Sequence, residues 1–244
     1  GLVGSEMCIR DRTCGIRGFN LTMPNKNKIV ELLDELSPEA QLIGAVNTVL
    51  NDNGKLIGYN TDGYGFMQSV RDAGHDITGK NITVMGVGGA SMAICAQSAL
   101  DGAASVHIFA RRTSRYWNRT QKFAENLSAK TGCQVCLFDN DDHTALRDSI
   151  AQSYLLINAT SVGMVPDIDD TIIKDTSLFH PELVVADVVY EPQETRLLRE
   201  AKAAGCQTFN GMYMLLHQGA KAFQIWTGQE MPVSVIKEKY FSVK

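Results

Sequence analysis

Residues 80–91 read Lys-Asn-Ile-Thr-Val-Met-Gly-Val-Gly-Gly-Ala-Ser, and this stretch decides the fold. Its first half is a short apolar run with β-branched residues, which is typical of a strand buried on both faces of a parallel sheet. Three glycines end the run, small and apolar residues at 90–100 predict a helix, and SVHIF at 105–109 predicts the next strand. These elements fit within about 30 residues, the length of one βαβ unit. The pattern predicts an α/β fold built on a Rossmann-like, doubly wound parallel sheet.

The alternation of strands and helices extends from residue 55 onward. Further strands are predicted at YLLINAT (154–160), LVVADVVY (183–190) and CQTFN (206–210), and helices at 195–204 and 212–227. Upstream, residues 27–36 carry apolar side chains at helical spacing. Ser37-Pro38 resembles a helix start, because serine caps helices and proline fits the first helical position. The segments 45–50 and 55–61, joined by a polar, glycine-containing turn, predict a hairpin.

Composition narrows the class of protein. The chain has 244 residues, of which 44% are hydrophobic and 20% charged, as expected of a folded globular protein. A net charge of −4 argues against a nucleic-acid binder. No apolar run approaches the roughly 20 residues that span a bilayer, and the first residues lack the order of a signal peptide. We therefore expect a soluble, cytoplasmic protein with a small-molecule substrate, either a monomer or a homodimer.

The pattern Cys133-x-x-Cys136 suggests zinc or redox chemistry. No second CxxC or paired histidine follows to complete a metal site. We therefore expect two packed thiols, no metal, and a reducing compartment.

The glycine turn is a candidate cofactor site, formed by Gly86, Val87, Gly88, Gly89 and Ala90. A glycine-rich turn between a strand and a helix lets the backbone approach a pyrophosphate, and the helix N-terminus supplies free N–H groups. The third glycine of the usual motif is replaced by Ser91. A purely structural turn is the alternative, but the flanking strand and helix favour a dinucleotide.

The end of the second strand predicts which dinucleotide binds. Arg111, Arg112 and Thr113 follow the strand, and no carboxylate lies between the end of the strand and Glu125. Guanidinium groups bind a 2′-phosphate through paired donors, whereas NAD usually meets an acidic residue there. A solvated basic loop is the alternative. The cluster favours NADP, with NAD possible.

Lys26 and Asp62 are candidates for proton transfer. Reduction of a ketone by hydride leaves negative charge on its oxygen, and a lysine beside a carboxylate can protonate it. Lys26 follows the strand-like GFNLTMP, and Asp62 follows a predicted strand. Their spacing alone does not separate this role from that of two surface charges.

Six ordered segments resemble motifs of the shikimate dehydrogenase family. They are NLTMPNK (20–26), GAVNT (44–48), NTDG (60–63), GVGGAS (86–91), NATSVGM (158–164) and NGMYMLLHQGA (210–220). Chance does not place six such motifs in order, so the chain is identified as a member of this family.

The resemblance implies a reaction and a role for particular residues. The reaction would be the NADP-dependent, reversible reduction of 3-dehydroshikimate to shikimate, a step of chorismate and aromatic amino acid biosynthesis. Lys26 would be its acid/base, oriented by Asp62. The substrate would also contact Thr22, Asn47, Tyr190 and Gln218. The cofactor would contact the glycine turn, Arg111, Arg112, Thr113 and Thr160, with Val188 and Gly211 beside the nicotinamide.

The resemblance also implies two domains around a cleft. Residues 1–62 would form a smaller α/β substrate-binding domain, 63–211 the NADP-binding Rossmann domain, and 212–244 helices that pack back on the substrate domain. Residues 1–12 do not resemble the family's N-terminal region, so we interpret them as non-native and the substrate domain as truncated.

Two alternative functions follow from features in which the chain differs from the usual pattern of the family. The double arginine at 111–112 resembles the quinate/shikimate branch of the family, which uses NAD or NADP, although that branch tends to carry an acidic residue at position 113. A truncated substrate domain would instead give an inactive NADP-binding fragment.

Overall fold

A computed structural model describes residues 15–241, which form two β-sheets and the helices around them. The smaller sheet has the strand order β1-β3-β4-β2, in which β3 pairs antiparallel with β1 and β4, and β2 pairs parallel with β4. The predicted hairpin is confirmed as β3 and β4. The four strands are β1 (Gly18–Asn20), β2 (Glu35–Leu36), β3 (Thr48–Asp52) and β4 (Lys55–Tyr59).

The larger sheet has six strands, all parallel, and its parallel arrangement was predicted from the sequence. Its strand order is β10-β9-β8-β5-β6-β7. The chain adds β6 and β7 on one side of β5 and then β8, β9 and β10 on the other side, so the order of strand addition reverses between β5 and β8. This is the doubly wound arrangement in which ligands bind at the carboxyl ends of the strands, near the reversal. The strands are β5 (Asn81–Met85), β6 (Ser105–Ala110), β7 (Gln134–Asp139), β8 (Leu155–Asn158), β9 (Val184–Asp187) and β10 (Gln207–Phe209).

Helices cover both sheets and connect them. The predicted helices at 90–100, 195–204 and 212–227 are confirmed, and Ser37 caps the first helix by accepting a hydrogen bond from Ala40 N at 3.3 Å. No helix between residues 15 and 241 is long and apolar enough to cross a membrane. The helices are α1 (Pro38–Ile43), α2 (Asp62–Asp72), α3 (Gly89–Leu100), α4 (Trp117–Thr131), α5 (His143–Gln152), α6 (Arg196–Ala203), α7 (Met212–Thr227) and α8 (Val233–Ile236).

The helical spacing of residues 27–36 predicts a helix, and this prediction is wrong for the second half of the segment. Only Lys28–Leu32 is helical, as a 3₁₀ turn, and Glu35–Leu36 is the strand β2. The backbone of Asp34 bonds Leu56, and the Asp34 carboxylate accepts from Leu56 N at 2.7 Å. These contacts with β4 lie far along the chain, so the local spacing could not reveal them.

Two close contacts determine the position of helix α7. A Cβ on Gly65 would lie 2.7 Å from the backbone of Gln218, so only glycine lets α2 and α7 approach this closely. At the other end of α7, Trp226 Nε1 donates to Val49 O at 2.9 Å. Helix α7, which follows β10 in the chain, therefore packs on α2 and reaches β3 of the smaller sheet.

Candidate active site

Lys26 and Asp62 meet, although 35 residues separate them in the sequence. Lys26 Nζ lies 2.7 Å from Asp62 Oδ2, and the two side chains are only 18% and 12% exposed. Lys26 precedes the 3₁₀ turn, and Asp62 is the first residue of α2, where a negative charge is favoured by the helix dipole. The pair is largely shielded from water while remaining open to a ligand.

Asn47 fixes the orientation of Asp62. Its Nδ2 donates to Asp62 Oδ1 at 2.8 Å and to Thr61 Oγ1 at 3.0 Å, and its Oδ1 accepts from Thr61 N at 2.9 Å. Because Oδ1 of Asp62 is held by this amide, its Oδ2 is directed to Lys26. Asn47 therefore holds Asp62 in place, and it also lines the cavity that opens over the Lys26–Asp62 pair.

A cavity of about 490 Å³, here called the Lys26 cavity, opens over this pair. Of its lining residues within 15–241, only Lys26 and Asp62 carry a full charge, so other ligand groups would meet hydroxyl, amide and apolar surface. The predicted substrate residues and the two residues expected beside the nicotinamide all lie on its wall. That group is Thr22, Lys26, Asn47, Asp62, Tyr190, Gln218, Val188 and Gly211.

Sequence reasoning gave no role to several other residues of this wall. They are Asn20, Leu21, Met214 and Leu215. Met214 and Leu215 share one face of α7 with Gln218, since residues four apart on a helix are neighbours. Their helical spacing from Gln218 is the sequence feature that could have predicted a place for Met214 and Leu215 on the same cavity wall.

The glycine turn forms the floor of a second cavity. Gly86 has φ of +107°, and a Cβ there would lie 2.7 Å from the methyl group of Thr160, so the position requires glycine. Gly88 caps α3 without a side-chain bond, and nothing lies within 4 Å of a Cβ placed on Gly88 or Gly89. Ser91, which replaces the third motif glycine, donates to Gly86 O at 2.6 Å. The open amides at a helix N-terminus fit a pyrophosphate.

This second cavity, here called the glycine-turn cavity, has a volume of about 870 Å³. It runs from Gly86, Val87 and Gly88 to Thr160 on one side and to the loop after β6 on the other. A smaller space of about 230 Å³, also lined by Gly89, shares Lys26 with the Lys26 cavity and shares Val87 and Gly88 with the glycine-turn cavity. The three spaces together can hold a long ligand whose reactive end reaches Lys26. Ala90 lines the Lys26 cavity instead.

The two adjacent arginines face different surroundings. Arg111 and Thr113 line the glycine-turn cavity, together with Ser114 and Arg115. The guanidinium carbon of Arg112 lies over the Trp117 ring, 4.6 Å from its centre, and Arg112 is not on the cavity wall. The cofactor role of Arg112 stays a prediction, while Arg115, to which the sequence reasoning gave no role, lines the cavity as well.

The cysteine pair lies apart from this site. Burial raises the pKa of the Cys133 thiol to about 11, so the thiolate that metals and redox reactions require is rare at neutral pH. Within residues 15–241 no group of three or more histidine, cysteine or acidic side chains could hold a metal ion.

Comparison with known proteins identifies the family. Residues 7–49 match the model of the shikimate dehydrogenase substrate binding domain, and residues 211–239 match that of the shikimate 5′-dehydrogenase C-terminal domain. A curated NADP(+) shikimate dehydrogenase of Listeria innocua is 52% identical over 230 residues, which are 94% of this chain and 79% of the relative. The chain belongs to the shikimate dehydrogenase family.

Two further relatives place it within the shikimate dehydrogenase family. A quinate/shikimate dehydrogenase of Escherichia coli is 42% identical over 91% of this chain and 77% of its own length. The crystal structure of shikimate 5-dehydrogenase from Listeria monocytogenes, in complex with shikimate and NAD, matches with a TM-score of 0.93 at 50% identity. That match covers 96% of this chain and 80% of the other, and it confirms the predicted fold class.

The predicted non-native segment, residues 1–12, lies outside the described residues. The match to the substrate binding domain begins at residue 7, inside that segment.

Proposed function

We propose that the protein catalyses the reversible, NADP-dependent reduction of 3-dehydroshikimate to shikimate. The observation that carries this proposal is the Lys26–Asp62 pair, 2.7 Å apart, inside a cavity that adjoins a glycine turn suited to a dinucleotide. Relatives that share half of the sequence carry this activity in their names.

Lys26 would act on the oxygen of the substrate. When bound, NADPH supplies the hydride that reduces the ketone carbon. The ammonium group of Lys26 then donates a proton to the oxygen, on which negative charge develops, and in the reverse direction the amine takes the hydroxyl proton. Asp62 Oδ2 directs Nζ and balances its charge, while Asn47 keeps Asp62 in place. Positioning by these three residues precedes the reaction and costs no reorganisation during it.

The remaining polar groups of the Lys26 cavity would bind the substrate itself. Thr22, Tyr190 and Gln218 offer hydroxyl and amide groups to ring hydroxyls and a carboxylate. Val188 and Gly211 would form the wall against the nicotinamide, and the Gly211 backbone is in close contact with Val188, since a Cβ there would lie 2.1 Å from Val188 O. This contact leaves no room for a larger residue at 211.

NADP would be held by the glycine turn and by the loop after β6. Gly86, Val87 and Gly88, at the start of α3, line the glycine-turn cavity, where a pyrophosphate would lie. Arg111 and Thr113 line the far end of the glycine-turn cavity, where they can reach a 2′-phosphate. Thr160 forms the opposite wall.

A quinate/shikimate dehydrogenase that accepts NAD is the second candidate. The double arginine at 111–112 and the 42% identical Escherichia coli enzyme favour it. Thr113 opposes it for NAD, because a hydroxyl does not replace the carboxylate that usually accepts from the ribose hydroxyls.

Steady-state kinetics with purified protein test both candidates. Shikimate and quinate are each oxidised with NADP and with NAD, and the appearance of reduced cofactor is followed. We expect the highest kcat/KM for shikimate with NADP, and a preference for quinate or for NAD would favour the second candidate. The variant Thr113→Asp should shift the preference toward NAD.

An inactive NADP-binding protein is the alternative from a different class. It predicts cofactor binding by calorimetry without turnover of either substrate. A protein extended at its N-terminus with the corresponding segment of the Listeria innocua relative serves as the comparison. Activity only in the extended protein would support the fragment alternative, and NADP binding without activity in either would refute the dehydrogenase proposal.

A further inference from the structure

Asp187 is a buried carboxyl group that the chemistry proposed above does not use. It ends β9 and is 0% exposed. Val189 N and Asn158 Nδ2 donate to its Oδ1 at 2.9 and 3.0 Å, and Thr195 Oγ1 donates to its Oδ2 at 2.8 Å. These three donors are uncharged, and burial raises the pKa of Asp187 despite their bonds. A carboxyl group kept in such a place costs free energy, so the groups that it holds are of interest.

The first group is the loop that follows β8. Asn158 is the neighbour of Asp187 across the sheet, and it is also 0% exposed. Its Oδ1 accepts from Thr160 N at 3.1 Å and from Thr160 Oγ1 at 2.6 Å, and its Nδ2 donates to Val162 O at 3.1 Å. Thr160 and Val162 line the glycine-turn cavity. Asn158 thus determines where one wall of the cofactor site lies.

The second group is the segment that follows β9. Val189 N bonds the Asp187 carboxylate, and Val188 N bonds Asn158 O at 2.9 Å. Val188 and Tyr190 line the Lys26 cavity. The Asp187–Asn158 bond therefore links a wall of the cofactor site to a wall of the substrate site.

We propose that Asp187 is a positioning residue that, through Asn158 and Val189, fixes the cofactor wall and the substrate wall relative to each other. It contacts neither cavity, and its effect on turnover rests on the proposed function, because hydride transfer requires the two ligands to be aligned. Displacements of about 1 Å far from the reacting atoms can cost about 100-fold in rate.

Asp187→Asn tests the proposal with little change in shape. The amide oxygen can still accept from Val189 N and Asn158 Nδ2, and its NH₂ can donate to Thr195 Oγ1, since a hydroxyl also accepts. The charge-assisted bonds, roughly twice as strong as neutral ones, are lost. We expect kcat to fall about 10-fold and the Kd of NADP to rise about 3-fold, while the melting temperature is unchanged or higher because a buried charge is gone. A kcat that stays within 2-fold of the wild type, or that falls only in proportion to the folded fraction, would overturn the proposal.

Thr195→Val is the matched control. It removes the donor to Oδ2 and the cap of α6, but leaves both Oδ1 bonds that reach the two walls. We expect a lower melting temperature with an unchanged kcat. An equal loss of kcat in both variants would assign the effect to general destabilisation and refute a positioning role. If Asp187→Asn does not fold, Asn158→Ser removes the same Asp187–Asn158 bond from the other side. The same changes in kcat and in the Kd of NADP are expected, together with a lower melting temperature, because the Asn158 bonds to Thr160 and Val162 are also lost.

Calorimetric NADP binding separates this proposal from the proposed function. If the wild type fails to oxidise shikimate, the proposed function falls, yet the rise in Kd for NADP in Asp187→Asn is still measurable and still expected. If the wild type is active and neither kcat nor Kd changes in the variant, only the positioning role falls.

Discussion

Replacing Lys26 by methionine removes the ammonium group and keeps an unbranched side chain of similar length. We expect kcat for shikimate oxidation to fall by about 10² to 10⁴, the usual contribution of a positioned acid/base, which is about 3 to 5 kcal/mol of barrier. The affinity for NADP should change little, because the wall of the glycine-turn cavity does not include Lys26.

The same variant has a second, separable effect on stability. Asp62 is 12% exposed and loses its cation, while the 2.8 Å bond from Asn47 remains. A shielded acceptor left without its partner costs about 1 to 3 kcal/mol, so the free energy of unfolding should fall by that amount. The double variant Lys26→Met/Asp62→Asn should recover most of this loss, because an amide needs no cation, but it should not recover kcat.

Urea unfolding and steady-state kinetics on the same samples measure both effects. Lys55→Met is a suitable control, since Lys55 is 53% exposed and pairs with Glu35 on the surface of the small sheet. It should leave kcat unchanged. A single variant at Lys26 with kcat within 3-fold of the wild type would remove Lys26 from the mechanism. A double variant that regains activity along with stability would show that Lys26 only neutralises Asp62.

Three further predictions concern the cofactor, the cleft wall and pH. Arg111→Ala should weaken NADP about 10- to 100-fold and NAD little, the loss expected for a charged hydrogen bond, whereas Arg112→Ala should change NADP affinity less than 2-fold; calorimetry that finds equal losses would contradict this. Gly211→Ala should lower the free energy of unfolding by about 1 to 3 kcal/mol and reduce kcat, because its Cβ would overlap a carbonyl oxygen, whereas Gly219→Ala has open space and should stabilise α7 by up to about 1 kcal/mol. Burial lowers the pKa of His217 more than its acidic neighbour raises it. The unfolded chain then binds more protons, so the free energy of unfolding should fall as the pH drops below about 6.5, and His217→Gln should make that fall shallower in urea titrations at pH 7 and pH 5.

Local chemistry explains why much of the fold was predictable. The strand β5, the glycine turn and α3 follow each other within 20 residues, and each is signalled by its own residues: β-branched side chains, Gly86 with a positive φ, and a run of small residues. The cap at Ser37 and the hairpin of β3 and β4 are equally local. Where local and distant contacts competed, as at Asp34, the distant partner won and the prediction was wrong.

The choice between adjacent arginines shows the limit at the cofactor site. Both follow β6, and the sequence gives each the same charge and the same neighbours. Arg111 reaches the cavity, while Arg112 rests on Trp117, a residue of the helix that follows. Which of two consecutive side chains faces a ligand depends on how the backbone leaves the strand, and that is a property of the packed structure.

The roles of Asn47 and Asp187 in holding other residues also depend on the tertiary structure. Asn47 was predicted to contact substrate, and its amide is also engaged by Asp62 and Thr61. Asp187 carried no prediction, since a carboxylate at the end of a strand has no distinctive local pattern. Both roles rest on hydrogen bonds between side chains that are far apart in sequence.

The sequence by itself determined the βαβ unit, the dinucleotide turn and the order of motifs that identifies the family, because these depend on short-range patterns. The spacing of Lys26 and Asp62 alone left them as two candidates, and the resemblance to the family predicted that they act as a pair. Only the tertiary structure shows the contact between them: Asp62 begins α2 directly after β4, and the segment after β1 places Lys26 Nζ 2.7 Å from its Oδ2. A distance between two side chains so far apart in the chain is set by sheet pairing and helix packing, which no local pattern specifies.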